Sequence, residues 1–445
     1  MQVIQYRRAL HRIPELDRDL PETLSYLRGI LSPLSCTLSS PIPGALCAFF
    51  DFGRPDAIAF RSDADALPIT ERTGLPFASV HPGRMHACGH DGHMAMVLDL
   101  AVWLDQQTAL PHNVLLLFQP AEETTGGAGK LCESGVLERY RVRRIFGLHL
   151  WPGLEAGTIA SRPGPLMARS NEVTVTVEGR SVHMSRADEG LDALTAGISY
   201  LQRAYDMMEQ LPPDQPRVLR FGKMVSGTVR NAISGRTVLE GSLRTYREDT
   251  FRFCRQQLKD IGRSVAAETG CSLDVHLSEG YPAVWNHEEL YQKIAAQLGD
   301  NAPTLMEKPV LAAEDFSFYQ QYVPGLFFFL GTGDTPQLHA PDFTFDDVEP
   351  GIVQTRTGKI IRKRPPEGIP PGGPAFSFRP RSVCCLRLVA DIGHIGGSGP
   401  LIPAALIDID LPRPLRVGIV GTKLPGVRQL RLSSVGESLR ARLRM

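Results

Sequence analysis

One short segment of the chain contains four side chains that commonly bind metals. They are His86, Cys88, His90 and His93. Imidazole and thiolate together suit zinc, and in some sites manganese, cobalt or nickel. Cys88 and His90 occupy alternate positions, which point the same way from an extended turn. The glycines between them, Gly89 and Gly92, permit tight folding around an ion. The segment therefore predicts a metal site, and a polar loop with free histidines is the alternative.

Length and composition limit the class of protein. At 445 residues the chain exceeds the roughly 250–300 residues at which a single core stops growing, so two domains are expected. The formal net charge is zero, and we therefore expect neither nucleic acid nor a membrane as a partner. Eight cysteines without regular spacing favour reduced thiols, and no apolar stretch approaches the roughly 18 residues of a membrane span. A cytoplasmic location is expected.

Short apolar runs alternate with helix-like stretches in the first third of the chain, which predicts an α/β fold with helices covering a sheet. The predicted strands are 45–50, 57–60, 114–118, 144–148 and, late in the chain, 326–331. The predicted helices are one near the start, then 22–31 and 94–105. Side chains that follow the carboxyl ends of such strands are candidates for chemistry.

The pattern changes near residue 170. Residues 172–178 alternate between polar and apolar, as in a half-buried strand. Further strands are predicted at 218–225 and 237–246, and helices at 193–210 and 250–269. We therefore predict a smaller α+β domain, 169–277, inserted into a catalytic domain made of 1–168 and 278–350.

The last 95 residues, 351–445, differ from the rest. They contain 16 Lys and Arg against 5 Asp and Glu, with 11 prolines and 13 glycines. Such a composition does not support a packed core. We interpret this tail as disordered or as the product of a shifted reading frame or a gene fusion. A basic tail that binds nucleic acid or an anionic surface is the alternative.

Acidic side chains follow two of the predicted strands. Asp63 or Asp65 could accept a hydrogen bond from a ligand imidazole and fix its tautomer, although an Asp-rich turn is equally consistent. Glu122 and Glu123 follow 114–118. Adjacent carboxylates on an extended backbone point in opposite directions, so one could bind an ion while the other faces water.

Two single histidines complete the set of candidates. His149 closes the apolar run 144–148, and His339 lies in a loop after 326–331. A lone histidine in such a place is more often a core or surface residue, so only its combination with the other motifs makes it a candidate ligand.

These motifs together resemble the M20 metallopeptidase superfamily, and most closely its amidohydrolase branch, which includes hippurate hydrolase, N-acetyl-diaminopimelate deacetylase and the auxin-conjugate hydrolases. The matching segments are 7–16, 63–68, 85–93, 120–123, 147–152, 313–317 and 338–341. The resemblance implies a mixed-sheet α/β catalytic domain with an inserted α+β dimerisation domain, and thus a homodimer.

The resemblance also implies a reaction and its site. Two divalent metal ions (Zn, Mn, Co or Ni) would be bound by five ligands. These are Cys88, His90, Glu123, His149 and His339. Glu122 would act as general base, taking a proton from a metal-activated water and giving it to the departing amine of an N-acyl amino acid.

Four further residues match positions of the superfamily. His183 matches a histidine that in relatives reaches the active site of a partner subunit and stabilises the oxyanion. Asn231 and Arg244 match substrate contacts, and a guanidinium suits a substrate carboxylate. Glu314 matches an acidic pair near the metals. Taken alone, His183 would be a surface histidine, Asn231 a turn residue and Arg244 a solvated strand end.

Two other functions stay open at this point. The chain could be a metallo-aminopeptidase or dipeptidase of the same superfamily, which would act on substrates with a free amine. It could also be a folded but inactive metal-binding scaffold, although the presence of all five ligands and Glu122 weighs against inactivation by substitution.

Overall fold

The computed structural model describes residues 2–345 except 214, 300 and 301, together with 352–354 and 360–362. Apart from the two short strands at 352–354 and 360–362, the tail 351–445 and the interpretations given for it lie outside the described residues. Among the described residues, no helix is both long and apolar enough to cross a membrane.

Eight α-helices are described. They are α1 Gln2–His11, α2 Pro21–Leu31, α3 His90–Asp105, α4 Gly127–Glu133, α5 Val136–Arg139, α6 Ala193–Gln210, α7 Glu248–Thr269 and α8 Glu288–Leu298. Two 3₁₀ helices cover Met184–Glu189 and Asp315–Gln321. The predicted helices 22–31, 94–105, 193–210 and 250–269 each coincide with one of these α-helices to within a few residues at either end.

The larger sheet contains eight strands. They are β1 Thr37–Ser39, β2 Leu46–Phe50, β3 Ala57–Asp63, β4 Asn113–Gln119, β5 Val142–Pro152, β6 Ile159–Ser161, β13 Thr304–Leu305 and β14 Gly325–Gly333. Their order is β1-β2-β4-β3-β5-β14-β6-β13. Strand β3 pairs in parallel with β4 and β5, and β5 pairs in parallel with β14. The carboxyl ends of these four strands therefore lie along one edge of the sheet, where the residues that follow them meet.

Packing explains the apolar runs within these strands. Every residue of β3 and β4 is buried, as expected for parallel strands covered on both faces. The core on one face includes Ala59, Leu115 and Phe327. This arrangement confirms the predicted α/β fold with a mixed sheet.

A second, four-stranded antiparallel sheet has its own core. Its strands are β8 Arg169–Glu178, β9 Arg217–Ser226, β10 Arg236–Thr245 and β11 Ser272–Leu277, in the order β11-β8-β10-β9. Tyr200 of α6 and Leu258 of α7 pack with Leu239 of β10 in this core. These elements fall within the predicted inserted segment 169–277, whose exact boundaries stay a prediction.

Four short strands form two further pairs. β7 Gly164–Met167 pairs with β12 Val284–Asn286, and β15 Ile352–Gln354 pairs with β16 Ile360–Arg362, both antiparallel. The sequence did not predict β6, β7, β12 or β13, because runs of two to four residues are too short to display a period.

Candidate metal centre

A tight turn places Glu122 and Glu123 beside the end of β3. The backbone N–H groups of the two residues donate to the two carboxylate oxygens of Asp65, at 2.9 Å and 3.1 Å. Ala121, just before them, has a left-handed φ of 58°. The expectation that the two carboxylates point in opposite directions from an extended strand is therefore wrong. Both approach His90, with ligand atoms of the three residues within 4.8 Å of one another.

The segment with four metal-binding side chains forms a loop followed by a helix. Gly89 has a φ of 86° and precedes α3, which begins at His90. A Cβ at Gly89 would lie 2.8 Å from a methyl carbon of Leu150, so this position needs glycine both for its conformation and for space. Gly92 lies inside α3, where a Cβ would meet Phe345 at 2.7 Å. The expectation that Gly92 turns the chain around an ion is therefore wrong, because its role is packing.

The group that fixes the imidazole of His90 is not the carboxylate of Asp63 or Asp65 expected from the sequence. Nδ1 of His90 lies 2.8 Å from the backbone carbonyl of Asp65, and its Nε2 lies 3.5 Å from Asp63 Oδ2 and 3.8 Å from Glu123 Oε1. The carboxylate of Asp63 instead lies 2.7 Å from Nδ1 of His93. The backbone of Asp65, and not either carboxylate, thus fixes the tautomer of His90.

A backbone hydrogen bond holds His339 at the site. The N–H of His339 donates to the carbonyl of Ala87, at 2.9 Å, and its φ is 65°. This bond joins the loop after β14 to the segment that contains Cys88, so residues far apart in sequence become neighbours.

The five predicted ligands come together at this edge of the sheet. Cys88 Sγ lies 3.4 Å from His149 Nε2 and 3.3 Å from His339 Nε2. Glu123 Oε1 lies 3.3 Å from His339 Nε2 and 3.8 Å from His90 Nε2. Two ligand atoms bound at about 2.0–2.3 Å to one tetrahedral ion are about 3.3–3.7 Å apart. The spacing of these side chains therefore matches that of ligands around divalent cations.

The chemistry of the donor atoms also fits cations. His90 Nε2 and Glu123 Oε1 are two of the buried side-chain atoms that have no hydrogen-bond partner within the described part of the chain. A buried polar atom left unpaired costs roughly 1–3 kcal/mol. A bound cation would remove that cost at both atoms.

Burial sets the protonation of the ligands. It lowers the pKa of His149 to about 3 and also lowers that of His90, so both imidazoles are neutral, as metal ligands must be. Burial, reinforced by Glu123 and Glu122, raises the pKa of the Cys88 thiol well above its usual range. A neighbouring cation is therefore needed to hold Cys88 as a thiolate.

Arg61 organises the acidic residues behind the ligands. Its guanidinium lies 2.9 Å from Asp63 Oδ2, 2.9 Å from Glu314 Oε1 and 2.8 Å from Asp315 Oδ1, and all four residues are buried. Burial raises the pKa of Asp63, but the hydrogen bond from His93 and the positive charge of Arg61 outweigh it and hold this pKa well below its usual range. Asp63 is therefore an anion at neutral pH.

Glu122 has a different electrostatic environment. Burial, followed by Glu314 and Glu123, raises its pKa well above the usual range. Its backbone carbonyl accepts a hydrogen bond from Tyr281 Oη at 3.1 Å. Glu122 is thus a firmly held carboxyl group with a strong affinity for a proton.

A cleft of about 680 Å³ opens onto the site. Cys88, Glu122 and His339 line it, and so does Arg244 near the end of β10. A cleft of this size accommodates a small molecule, and the guanidinium of Arg244 contributes a positive charge to its lining.

The structure does not bring His183 or Asn231 into this cleft. Both are exposed, and the N–H of Met184 donates to the carbonyl of Asn231 at 3.0 Å. His183 Nδ1 lies 2.9 Å from Ser185 Oγ. Within one chain, these two predicted residues are close to each other, and neither lines the cleft.

Sequence reasoning missed the contributions of Arg61, His93 and Tyr281. His93 was visible as a member of the segment rich in ligands, but spacing alone does not distinguish a ligand from a residue that supports one. No local sequence signal pointed to Tyr281, whose contact with Glu122 joins residues 159 positions apart.

A comparison with known proteins identifies the family. Residues 59–354, more than half of the chain, match the family model described as peptidase family M20/M25/M40. The chain belongs to peptidase family M20. As a member of this family it is a hydrolase that acts on amide bonds, and the resemblance inferred from the sequence is confirmed.

The matches to individual M20 relatives extend over most of the length of each relative. The N-acetyldiaminopimelate deacetylase of Lacticaseibacillus paracasei is 35% identical over 365 residues, which cover 79% of this chain and 95% of that protein. The deacetylase of the same name from Streptococcus sanguinis is 33% identical over 369 residues, 80% and 97% of the two chains. A dinuclear metal-binding M20 peptidase from Bacillus subtilis is 30% identical in the structural match, with a TM-score of 0.69 over 77% and 92%.

Proposed function

We propose that this M20 hydrolase removes the acyl group from an N-acyl amino acid, using two divalent cations bound by Cys88, His90, Glu123, His149 and His339. The convergence of these five side chains beside the buried carboxyl group of Glu122 is the observation that carries the proposal. The deacetylases that are 33% and 35% identical to the chain support an acylated amino acid as the substrate.

The cations would supply the chemistry that side chains lack. When bound, they would lower the pKa of a water molecule and polarise the amide carbonyl. The thiolate, imidazole and carboxylate donors suit Zn, Mn, Co or Ni.

Glu122 is suited to move the proton. Its raised pKa favours a group that accepts a proton from water and returns it to the departing amine near neutral pH. Asp65 and Tyr281 hold the backbone of its turn in place. Asp63, Asp65 and Glu314 would act indirectly, by fixing ligands and the turn.

Arg244 is our candidate for binding the substrate carboxylate. It lines the cleft together with Glu122 and His339, and a guanidinium fork pairs with a carboxylate through two parallel hydrogen bonds. Such a contact would favour N-acyl amino acids over simple amides.

We further propose a homodimer formed through the inserted segment 169–277. Strand β9 is at the edge of its sheet, and Val225 on it is 54% exposed, with Ile198 of α6 at 53% and Val229 at 58%. An exposed apolar edge strand is suited to pairing with a second copy. Dimerisation would also give a role to His183 and Asn231, which would then contribute to the cleft of the partner subunit.

A cytoplasmic location is part of the same proposal. All six cysteines within the described residues are free thiols, which is typical of a reducing compartment.

A turnover assay would test the proposed reaction. The full chain would be depleted of metal with a chelator, refilled separately with Zn, Mn, Co or Ni, and assayed with N-acetyl and N-benzoyl amino acids and with free dipeptides. We expect hydrolysis of the acylated substrates, loss of activity on chelation and recovery on refilling.

Two results would contradict the proposal. Faster turnover of free dipeptides would favour an aminopeptidase or dipeptidase. A metal stoichiometry near two without hydrolysis of any acyl amino acid would favour an inactive scaffold.

A further inference from the structure

The orientation of His149 depends on the backbone of the next residue, Leu150. Nδ1 of His149 lies 2.7 Å from the carbonyl oxygen of Leu150, and Nε2 faces Cys88 Sγ at 3.4 Å. Nδ1 therefore carries the proton and donates it to the carbonyl, which leaves the lone pair of Nε2 directed into the site. A displacement of the Leu150 backbone would change the direction in which Nε2 of His149 points.

His93 holds that same stretch of backbone. The N–H of Leu150 donates to His93 Nε2 at 3.0 Å, so Nε2 carries no proton. Nδ1 of His93 must then carry the proton, and it donates to Asp63 Oδ1 at 2.7 Å. His93 is 2% exposed, and both of its nitrogens are used in these contacts.

This bonding excludes His93 from direct coordination. Its ligand atoms lie within 4.8 Å of those of Asp63, His90 and His149, so proximity alone would make it a candidate ligand. However, the lone pair on Nε2 accepts the Leu150 N–H, and Nδ1 is protonated. His93 can therefore influence the metal site only through its contacts with the Leu150 backbone and Asp63.

Asp63 is itself fixed. Its second carboxylate oxygen lies 2.9 Å from the guanidinium of Arg61, and neither side chain is accessible to solvent beyond 3%. Arg61, Asp63 and His93 thus form a continuous buried chain of contacts that ends on the backbone next to His149.

We propose that His93 is a positioning residue, which with Asp63 holds the backbone of Leu150 at its N–H, so that the carbonyl of the same residue directs Nε2 of His149 at the metal. This inference rests on the metal site in the proposed function. Residues that orient a metal ligand typically contribute 10- to 100-fold to metal affinity, so the effect should be measurable in metal binding, independently of turnover.

Zinc titration of the metal-depleted full chain, with stoichiometry and affinity measured by competition against a chromophoric chelator, would test the inference. His93→Leu removes both contacts. His93→Gln can keep them, because its amide oxygen accepts from Leu150 and its amide nitrogen donates to Asp63. His112→Leu is a matched control, because the side chain of His112 is 15% exposed and also pairs with an aspartate, Asp56, but lies at the amino end of β4, opposite to the end that carries the ligands. His149→Ala removes the ligand itself.

We expect His93→Leu to weaken one of two zinc equivalents by about 10- to 100-fold, His93→Gln to restore most of that loss, and His112→Leu to bind zinc as the unmodified chain does. Thermal unfolding of the metal-free proteins would show whether the variants are folded. Unchanged zinc binding by His93→Leu would overturn the inference, and so would an equal loss in His112→Leu, because that would reflect a general effect of replacing a histidine that pairs with an aspartate.

The His149→Ala variant separates this inference from the proposed function. If it loses one zinc equivalent while His93→Leu does not, only the positioning role fails. If it binds both equivalents as tightly as the unmodified chain, the ligand assignment fails, and the positioning role fails with it.

Discussion

Glu122 and Glu123 are adjacent in sequence but occupy different environments. Glu123 lies among His90, His339 and Cys88, whereas Glu122 is close to Glu314 and has a raised pKa. Both backbone N–H groups donate to one carboxylate, that of Asp65, which fixes the turn from which the two side chains extend. One turn thus provides both a candidate ligand and a candidate base.

Replacing Glu122 with glutamine should separate catalysis from metal binding. We expect kcat to fall by about 10²- to 10⁴-fold, the usual contribution of a general acid–base group, while the zinc content stays at the level of the unmodified chain. Kinetics together with metal analysis would measure both. Glu123→Gln is the matched control and should lose metal, so full activity in Glu122→Gln would contradict the assignment of the base.

At the level of elements, helix α3 is positioned by contacts at its first turn. Gly89 allows the chain to enter the helix beside Leu150, and Asp91 in the first turn accepts from His11 of α1 at 2.8 Å. His90 is directed at the site because both contacts fix the start of the helix.

A Gly89→Ala variant should destabilise the fold and weaken metal binding. A left-handed conformation costs an alanine roughly 1–2 kcal/mol, and the added Cβ would also collide with Leu150. Gly74→Ala is the control, because Gly74 has a φ of 69° but nothing within 4 Å of an added Cβ. Denaturant unfolding and zinc titration should reveal a larger loss at Gly89; equal losses at the two positions would refute the packing argument.

The contact between His11 and Asp91 should make stability depend on pH. Burial lowers the pKa of His11, but Asp91 and Glu71 outweigh it and raise this pKa from 6.5 to about 9. Because the folded pKa exceeds the unfolded value, the stabilisation is fully present below pH 6.5 and is lost as the pH rises through about 9. Its size is at most roughly 3 kcal/mol.

Denaturant unfolding of the metal-free chain between pH 6 and about 9.5 would measure this dependence. The free energy of unfolding should decline with pH in the unmodified chain and much less in His11→Gln. His276→Gln, at an exposed position on β11, should behave as the unmodified chain. An identical decline in all three proteins would show that His11 is not responsible.

At the scale of the whole molecule, the two larger sheets leave different surfaces exposed. The buried strands β3 and β4 have neighbours on both sides, whereas β9 ends its sheet with Val225 exposed. His183 and Asn231 belong to the same segment, 169–277. In the proposed dimer, His183 and Asn231 of one subunit would therefore lie at the catalytic cleft of the other.

A charge on the exposed strand should disrupt the dimer. We expect Val225→Lys to convert it to a monomer in light scattering and to lower turnover, while zinc content is unchanged, because a buried unpaired lysine is strongly unfavourable at an interface. Val80→Lys is the control at a position that is 49% exposed in another part of the chain. A monomeric unmodified chain with full activity would exclude the proposed role of the partner.

Much of the fold followed from local pattern. Apolar runs predicted the central strands, because burial on both faces favours consecutive apolar residues. Strict alternation predicted β8, because burial on one face places apolar residues at every second position. The strand ends were less accurate. β5 was predicted as 144–148 but spans Val142–Pro152. The polar residue His149 ends the apolar run, although the strand continues beyond it.

The sequence by itself determined which side chains are available: the ligand-rich segment, the pair Glu122–Glu123, and the single histidines His149 and His339. Tertiary structure alone decided how they are used. His93 supports the backbone and is not free to bind a metal, because the N–H of Leu150, 57 positions away, occupies its lone pair. Such roles depend on hydrogen bonds between distant segments, and those bonds leave no period or spacing in the sequence.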